Sequence, residues 1–146
     1  EPATDRDMHL PASIFTPEQE AFLRSRRWAA LATGPRDGSP QLSHVGYDWD
    51  GQDLLVSVKS YTAKWKNAQR QPKVALLVHE DRKQLVIYGS ATCIDRDPER
   101  AALTARIFRR LTGNAGLEIT DDFVRMLDAQ QRTVLRIRPA KATMQD

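Results

Sequence analysis

Residues Leu54–Pro72 read LLVSVKSYTAKWKNAQRQP, and this stretch decides how the rest of the chain is arranged. Leu54 to Val58 is apolar and rich in β-branched residues, the composition of a strand. At Lys59-Ser60-Tyr61 it gives way to a short helical pattern that carries Lys64, Lys66 and Asn67. Pro72 closes that helix, and a second apolar run follows at once from Val74 to Val78. A strand that ends in hydroxyls and amines and feeds a helix start suits a phosphate. The first-turn N–H groups are unpaired there, and the helix dipole favours negative charge. Thr62 stands where it can cap the turn, with Lys64 in reach of the same anion. The same residues also suit a capped, solvated surface helix, and the local pattern does not choose between the two.

Working outward, Thr16-Pro17-Glu18-Gln19 is a helix start, with Thr as cap, Pro at the first position and Gln three residues on. Trp28 to Thr33 reads as a buried strand. Gly34-Pro35-Arg36-Asp37-Gly38-Ser39-Pro40 is turn chemistry, with Asp37-Gly38 suited to a hairpin. Strands are expected at Gln41–Trp49, Val74–His79 and Gln84–Ile94. Gly89 marks a bulge or a close backbone approach. Asp97-Pro98 opens an amphipathic helix with Leu103, Ile107 and Leu111 on one stripe and a stop at Gly113-Asn114. Asp121-Asp122 caps a further short helix, and Thr133–Ile137 is a last strand that Pro139 ends. About six strands, mostly hairpin-linked, with three or four short helices predict a mainly β fold, an antiparallel barrel with helical additions. Residues 1–13 are expected to be a loosely held N-terminal arm and residues 14–146 a single domain.

The chain has 146 residues, with 40% hydrophobic and 28% charged content, as in ordinary globular proteins. Its net charge of +3 fits an anionic small-molecule ligand and falls short of a nucleic-acid footprint. Arg24, Arg26, Arg27, Arg106, Arg109 and Arg110 lie mostly on helices, where such charges form a solvated face. Cys93 is the one cysteine, so no internal disulfide forms, and a cytoplasmic location is expected. No run approaches the ~20 apolar residues of a membrane span. His9, His44 and His79 have no metal-ligand spacing to Cys or carboxylates, and no metal site is expected. His44 reads as a hydrogen-bonded structural residue, Trp49 and Trp65 as core or interface aromatics. No nucleophile elbow, P-loop or dinucleotide fingerprint is present, which moves any chemistry onto a cofactor.

The order of motifs resembles the pyridoxamine 5′-phosphate oxidase-like superfamily. The residues concerned are Trp28-AALAT, Asp37-Gly38-Ser39-Pro40-Gln41, Val45-Gly46-Tyr47-Asp48-Trp49-Asp50-Gly51, Leu55-Val-Ser-Val-Lys59, Thr62-Ala63-Lys64 with Asn67, Gln71-Pro72-Lys73-Val74-Ala75-Leu76 and Gly89-Ser90-Ala91. Within it the chain is most similar to the actinobacterial flavin/deazaflavin oxidoreductases of the B type. The resemblance implies a split β-barrel and a homodimer with its cofactor in a groove between protomers. It also implies hydride transfer from reduced coenzyme F-420 to a small unsaturated organic substrate, with FMN as the alternative cofactor. On this resemblance Lys64, with Ser57, Lys59 and Thr62, would hold the cofactor phosphate, Val58 and Ala63 would belong to the same cofactor-binding set, and Asn67 would support the turn. Gln41, Ser43 and Val45 would lie along the ring. Tyr61 and Lys59 stand near as proton donors, and no catalytic acid is assigned. The arginine expected beside the phosphate-site lysine is absent, since Ala63 precedes Lys64. The C-terminal arginine and histidine of true pyridoxamine-phosphate oxidases are missing too, so that activity is not expected. A barrel that only sequesters cofactor or binds nucleic acid is the remaining alternative.

Overall fold

The computed structural model describes residues 13–34 and 37–145. The expected arm therefore lies almost wholly outside the described residues, as do Pro35 and Arg36 of the first turn. The order is α1 (Pro17–Ser25), β1 (Trp28–Thr33), β2 (Gln41–Trp49), β3 (Leu54–Lys59), α2 (Ala63–Arg70), β4 (Lys73–Glu80), β5 (Lys83–Ile94), α3 (Glu99–Thr112), α4 (Asp121–Ala129) and β6 (Arg132–Gln145). The strands close into a barrel in the order β1-β2-β3-β6-β5-β4, and every pairing is antiparallel.

Alternation along the strands places the core. Ala29 and Leu31 of β1, Val45 and Tyr47 of β2, Val56 and Val58 of β3, and Leu76 and Val78 of β4 all point into the barrel. Leu23 from α1 and Trp49 and Trp65 join the same cluster, so both tryptophans are core residues as expected. Outside the barrel, α3 lies over β2, β3 and β6. It covers Leu55, Ile94 and Val134 with Ile107, flanked by Leu103, Phe108 and Leu111. Leu55 is thus buried on the outer face, and β3 reads as a continuous apolar run because both of its faces are covered there. Gly46 makes this docking close: a Cβ on it would sit 2.5 Å from the Leu111 side chain.

The first helix starts as expected. Gln19 N–H donates to the Thr16 hydroxyl at 3.1 Å, and Thr16 N–H donates to the Gln19 side chain at 3.0 Å. Three local readings change. Strand β6 does not stop at Pro139 but runs on to Gln145. Pro139 faces Gly89, where the register between β5 and β6 shifts by one residue, and a bulge tolerates a residue with no N–H to give. The last helix is capped by Thr120, whose hydroxyl accepts from Phe123 N–H, while Asp121 and Asp122 occupy its first turn. Thr62 holds the cap position of α2, but its hydroxyl donates to the Lys59 carbonyl at 2.7 Å instead of accepting from the helix.

Candidate functional site

The Thr62 hydrogen bond has a consequence for α2. The hydroxyl is committed to Lys59, so the amides of Ala63, Lys64 and Trp65 have neither an intrahelical partner nor a side-chain cap. Through Thr62 and Lys64 this helix start borders a cleft of about 490 Å³ on the outside of the barrel. Ser57 and Lys59, on the outward phase at the end of β3, form its floor, with Thr62 and Lys64 above them. Phe108 and Leu111 of α3 make one wall, and Trp28, His44 and Gly46 of β1 and β2 make the other. Tyr61, 54% exposed, stands at the mouth.

Three cations converge here. Lys59 pairs across the strands with Arg132, the first residue of β6, and Lys64 comes from the helix. Among the described residues, none of the three makes an ion pair, and no Asp or Glu lines the cleft. Arg132 donates to the Ser57 hydroxyl at 3.4 Å and to the Gln130 side chain at 2.9 Å, and its guanidinium lies 5.6 Å from the centre of the Phe108 ring. Partial burial lowers its pKa from the ordinary arginine value, a sign that the cleft taxes uncompensated positive charge. By contrast, other arginines are spoken for: Arg24 pairs with Glu20, Arg26 with Glu80, and Arg106 and Arg110 with Asp48.

Six of the ten residues singled out in the sequence border this cleft: Val45, Ser57, Val58, Lys59, Thr62 and Lys64, although the side chains of Val45 and Val58 point into the barrel. Gln41, Ser43, Ala63 and Asn67 do not. Gln41 and Ser43 share the phase of Val45 and Tyr47, so they face the barrel's end and bond to each other at 2.8 Å. Asn67 is buried and donates to Thr33, whose hydroxyl donates to Gln41, tying α2 to β1 and β2 from behind the site. The residues of β2 that face the cleft are His44 and Gly46, one position out of phase with the expected set. Nor is His44 a hydrogen-bonded structural residue. It is exposed and stacked on Trp28, with ring centres 5.0 Å apart and planes 17° from parallel. Arg132 was not legible beforehand, because only the β3–β6 register brings it beside Lys59. A hydrophilic Gln130-Gln131-Arg132 run before the final strand is the sole local signal.

A second cavity of about 410 Å³ lies on the outer face of β1, β4 and β5, against Ala32, Ala75, Tyr88 and Gly89. No helix among the described residues is long and apolar enough to cross a membrane.

Comparison with known proteins places this architecture. The chain belongs to the pyridoxamine 5′-phosphate oxidase family, whose model matches residues 15–146. Its fold is similar to that of a protein described as an F420 reductase, at 22% identity and a TM-score of 0.65, covering 92% of this chain and 98% of that one. A conserved hypothetical protein from Mycobacterium tuberculosis aligns at 25% identity and a TM-score of 0.70, with coverages of 93% and 88%. A haem storage protein from Vibrio cholerae aligns at 19% identity and a TM-score of 0.65, covering 90% of this chain and 94% of that one.

Proposed function

We propose that this cleft holds the phosphate end of a flavin-type cofactor and that the protein is an oxidoreductase, with reduced coenzyme F-420 as its cofactor and FMN as the alternative. The observation that carries the reading is the gathering of Lys59, Lys64 and Arg132 in one cleft beside the uncapped start of α2, without one carboxylate in the lining. Three such charges repel one another at a cost that an anion relieves. The donor set fits a phosphate: two ammonium groups, a guanidinium, the Ser57 hydroxyl and the first-turn N–H groups.

When bound, the reduced deazaflavin supplies a hydride to an unsaturated organic substrate. The rest falls to the chain. Lys64 and Arg132 neutralise and orient the phosphate, and the Trp28–His44 pair offers a flat face for a ring. Phe108 and Leu111 keep water from one side of the cleft. Tyr61 and Lys59 stand near enough to the cleft mouth to donate a proton. The apolar outer face of β2, β1, β4 and β5, with Leu42 of β2 69% and Tyr88 of β5 47% exposed, suits a second copy of the chain, which would complete a groove between protomers. A fluorescence titration with coenzyme F-420 and FMN side by side tests the reading. Micromolar binding of either supports it, tighter binding of the first supports the finer assignment, and binding of neither refutes both.

A barrel that stores its ligand without turning it over is the second reading. Its support is that the cleft lining contains no carboxylic acid and no buried titratable side chain to manage a proton. Cofactor that binds yet is never oxidised by any electron-poor alkene or quinone would favour it.

A further inference from the structure

Trp28 belongs to two cavities. One of its faces borders the cationic cleft, and the residue also lines a separate hollow of about 460 Å³ with Ser25, Arg26, Arg27 and His79. The strand register makes the two continuous. Trp28 pairs with Gly46 on β2, and continuing the β2–β3 register by one residue brings Gly46 beside Ser57. On the other flank, continuing the β1–β4 register by two residues brings His79 beside Trp28. A groove thus crosses the outside of the sheet from Arg132 and Lys59, over the Trp28–His44 shelf, to Arg27 and His79. At roughly 4.8 Å per strand, Trp28 lies about 10 Å from Ser57 and about 15 Å from Arg132.

The far end is built, not incidental. The Arg27 main chain is fixed, its carbonyl accepting from Tyr47 N–H at 2.9 Å. The carbonyls of Arg24 and Arg26 on the same turn both accept from Arg110, and the Arg26 side chain is taken by Glu80 at 3.2 Å. The Arg27 guanidinium is left exposed, with no carboxylate within ion-pair distance among the described residues. His79 is exposed on the adjacent strand, so a planar guanidinium and an imidazole flank one aromatic shelf.

We propose that Arg27 and His79 form a second anion subsite, which takes a carboxylate lying at the opposite end of the groove from the cofactor phosphate. The inference rests on the proposed cofactor site for its orientation, but the subsite stands or falls on its own binding data. The carboxylate is that of the organic substrate, because the anionic tail of coenzyme F-420 leaves from the phosphate end and not from beyond the ring. A fork-shaped guanidinium matches a carboxylate.

The test measures affinities of the full chain for coenzyme F-420, FMN and cinnamate, an unsaturated carboxylate, in the wild type and in Arg27→Met, Arg27→Lys and His79→Gln. Trp28 fluorescence reports on the groove, and a thermal melt confirms folding, which these exposed side chains do not govern. A tenfold or greater loss of cinnamate binding in Arg27→Met, partly restored in Arg27→Lys and with both cofactors unaffected, assigns the subsite to the substrate. The same loss for coenzyme F-420 but not for FMN would put the cofactor's tail at this end and overturn the proposal. Equal losses for FMN and coenzyme F-420 would merge this end with the phosphate site and overturn the proposal, as would three affinities that all survive Arg27→Met. Cinnamate binding that depends on Arg27 in a protein that binds neither cofactor would keep the subsite and sink the cofactor reading. A wild type that binds none of the three overturns both.

Discussion

Replacing Lys64 with alanine isolates the charge on which the cofactor reading depends. The side chain is half-buried, makes no ion pair among the described residues, and begins a helix in which alanine is the better former, so folding is not at risk. A charged hydrogen bond contributes about 1.5–3 kcal/mol. Partial exposure moves Lys64 to the lower part of that range, about 1.5–2 kcal/mol, because solvent screens the pair. Lys59 and Arg132 remain, so the phosphate keeps two of its three cations. The expected result is a roughly 10- to 30-fold rise in Kd for whichever cofactor binds, at constant salt. Lys66→Ala is the control, since Lys66 is exposed on the same helix and absent from the cleft lining. Salt adds a second readout. The screening length falls from about 10 Å at 0.1 M to about 3 Å at 1 M, so wild-type affinity drops more steeply with salt than that of the variant. Isothermal titration measures both. If Lys64→Ala binds within twofold of the wild type, or Lys66→Ala loses as much, the anion is not held where the cations gather and the reasoning fails.

Gly89→Ala should destabilise the barrel by about 1–3 kcal/mol, seen as a lower urea midpoint with unchanged slope, because a Cβ there would overlap the Arg138 carbonyl oxygen and backbone cannot step aside. The Tyr47 hydroxyl is buried and donates to the Leu23 carbonyl at 2.6 Å, so Tyr47→Phe should cost about 1–2 kcal/mol in the same assay. Burial holds the Tyr47 phenol well above its usual value of 10.0, against the weaker pull of Arg110 and Arg26. Its contribution is therefore complete below pH 10.0 and declines as pH rises further, and the alkaline decline should be smaller in the phenylalanine variant. The Asp97 carboxyl is held below its ordinary 3.8 by the Arg100 guanidinium first and by the Ala101 N–H after it. Its stabilisation is present above pH 3.8 and is lost as pH falls through the lowered value, so Asp97→Asn should flatten the acid limb of a stability–pH profile. An unchanged acid limb would show that the Arg100 pair does not matter to folding.

Much of the architecture was legible residue by residue. The Thr16–Gln19 capping box, the strand runs from Trp28, Gln41, Leu54 and Val74, and the Gly113 stop are local signals, each produced by a few neighbouring residues. The Lys64 turn was legible for the same reason, since a strand end, a cap position and a helix start are consecutive in sequence. Pro139 was misread because its missing N–H is harmless only opposite the Gly89 bulge, 50 residues earlier in the chain. The family resemblance set Gln41 and Ser43 along the ring, whereas their phase on β2 turns them to the barrel's end; an alternating strand shows its period but not which phase faces inward. That choice belongs to α3, which docks Leu111 on Gly46 and turns His44 toward the cleft. Arg132 is the clearest case: its one local signal is the polar run it shares with Gln130 and Gln131, and only the pairing of β3 with β6 sets it beside Lys59. Sequence alone determined where the chain bends and which segments have an apolar side, because those depend on contacts a few residues apart. Tertiary structure decided which charges meet without a counter-ion, because that depends on strand register and helix docking, which join residues the chain keeps far apart.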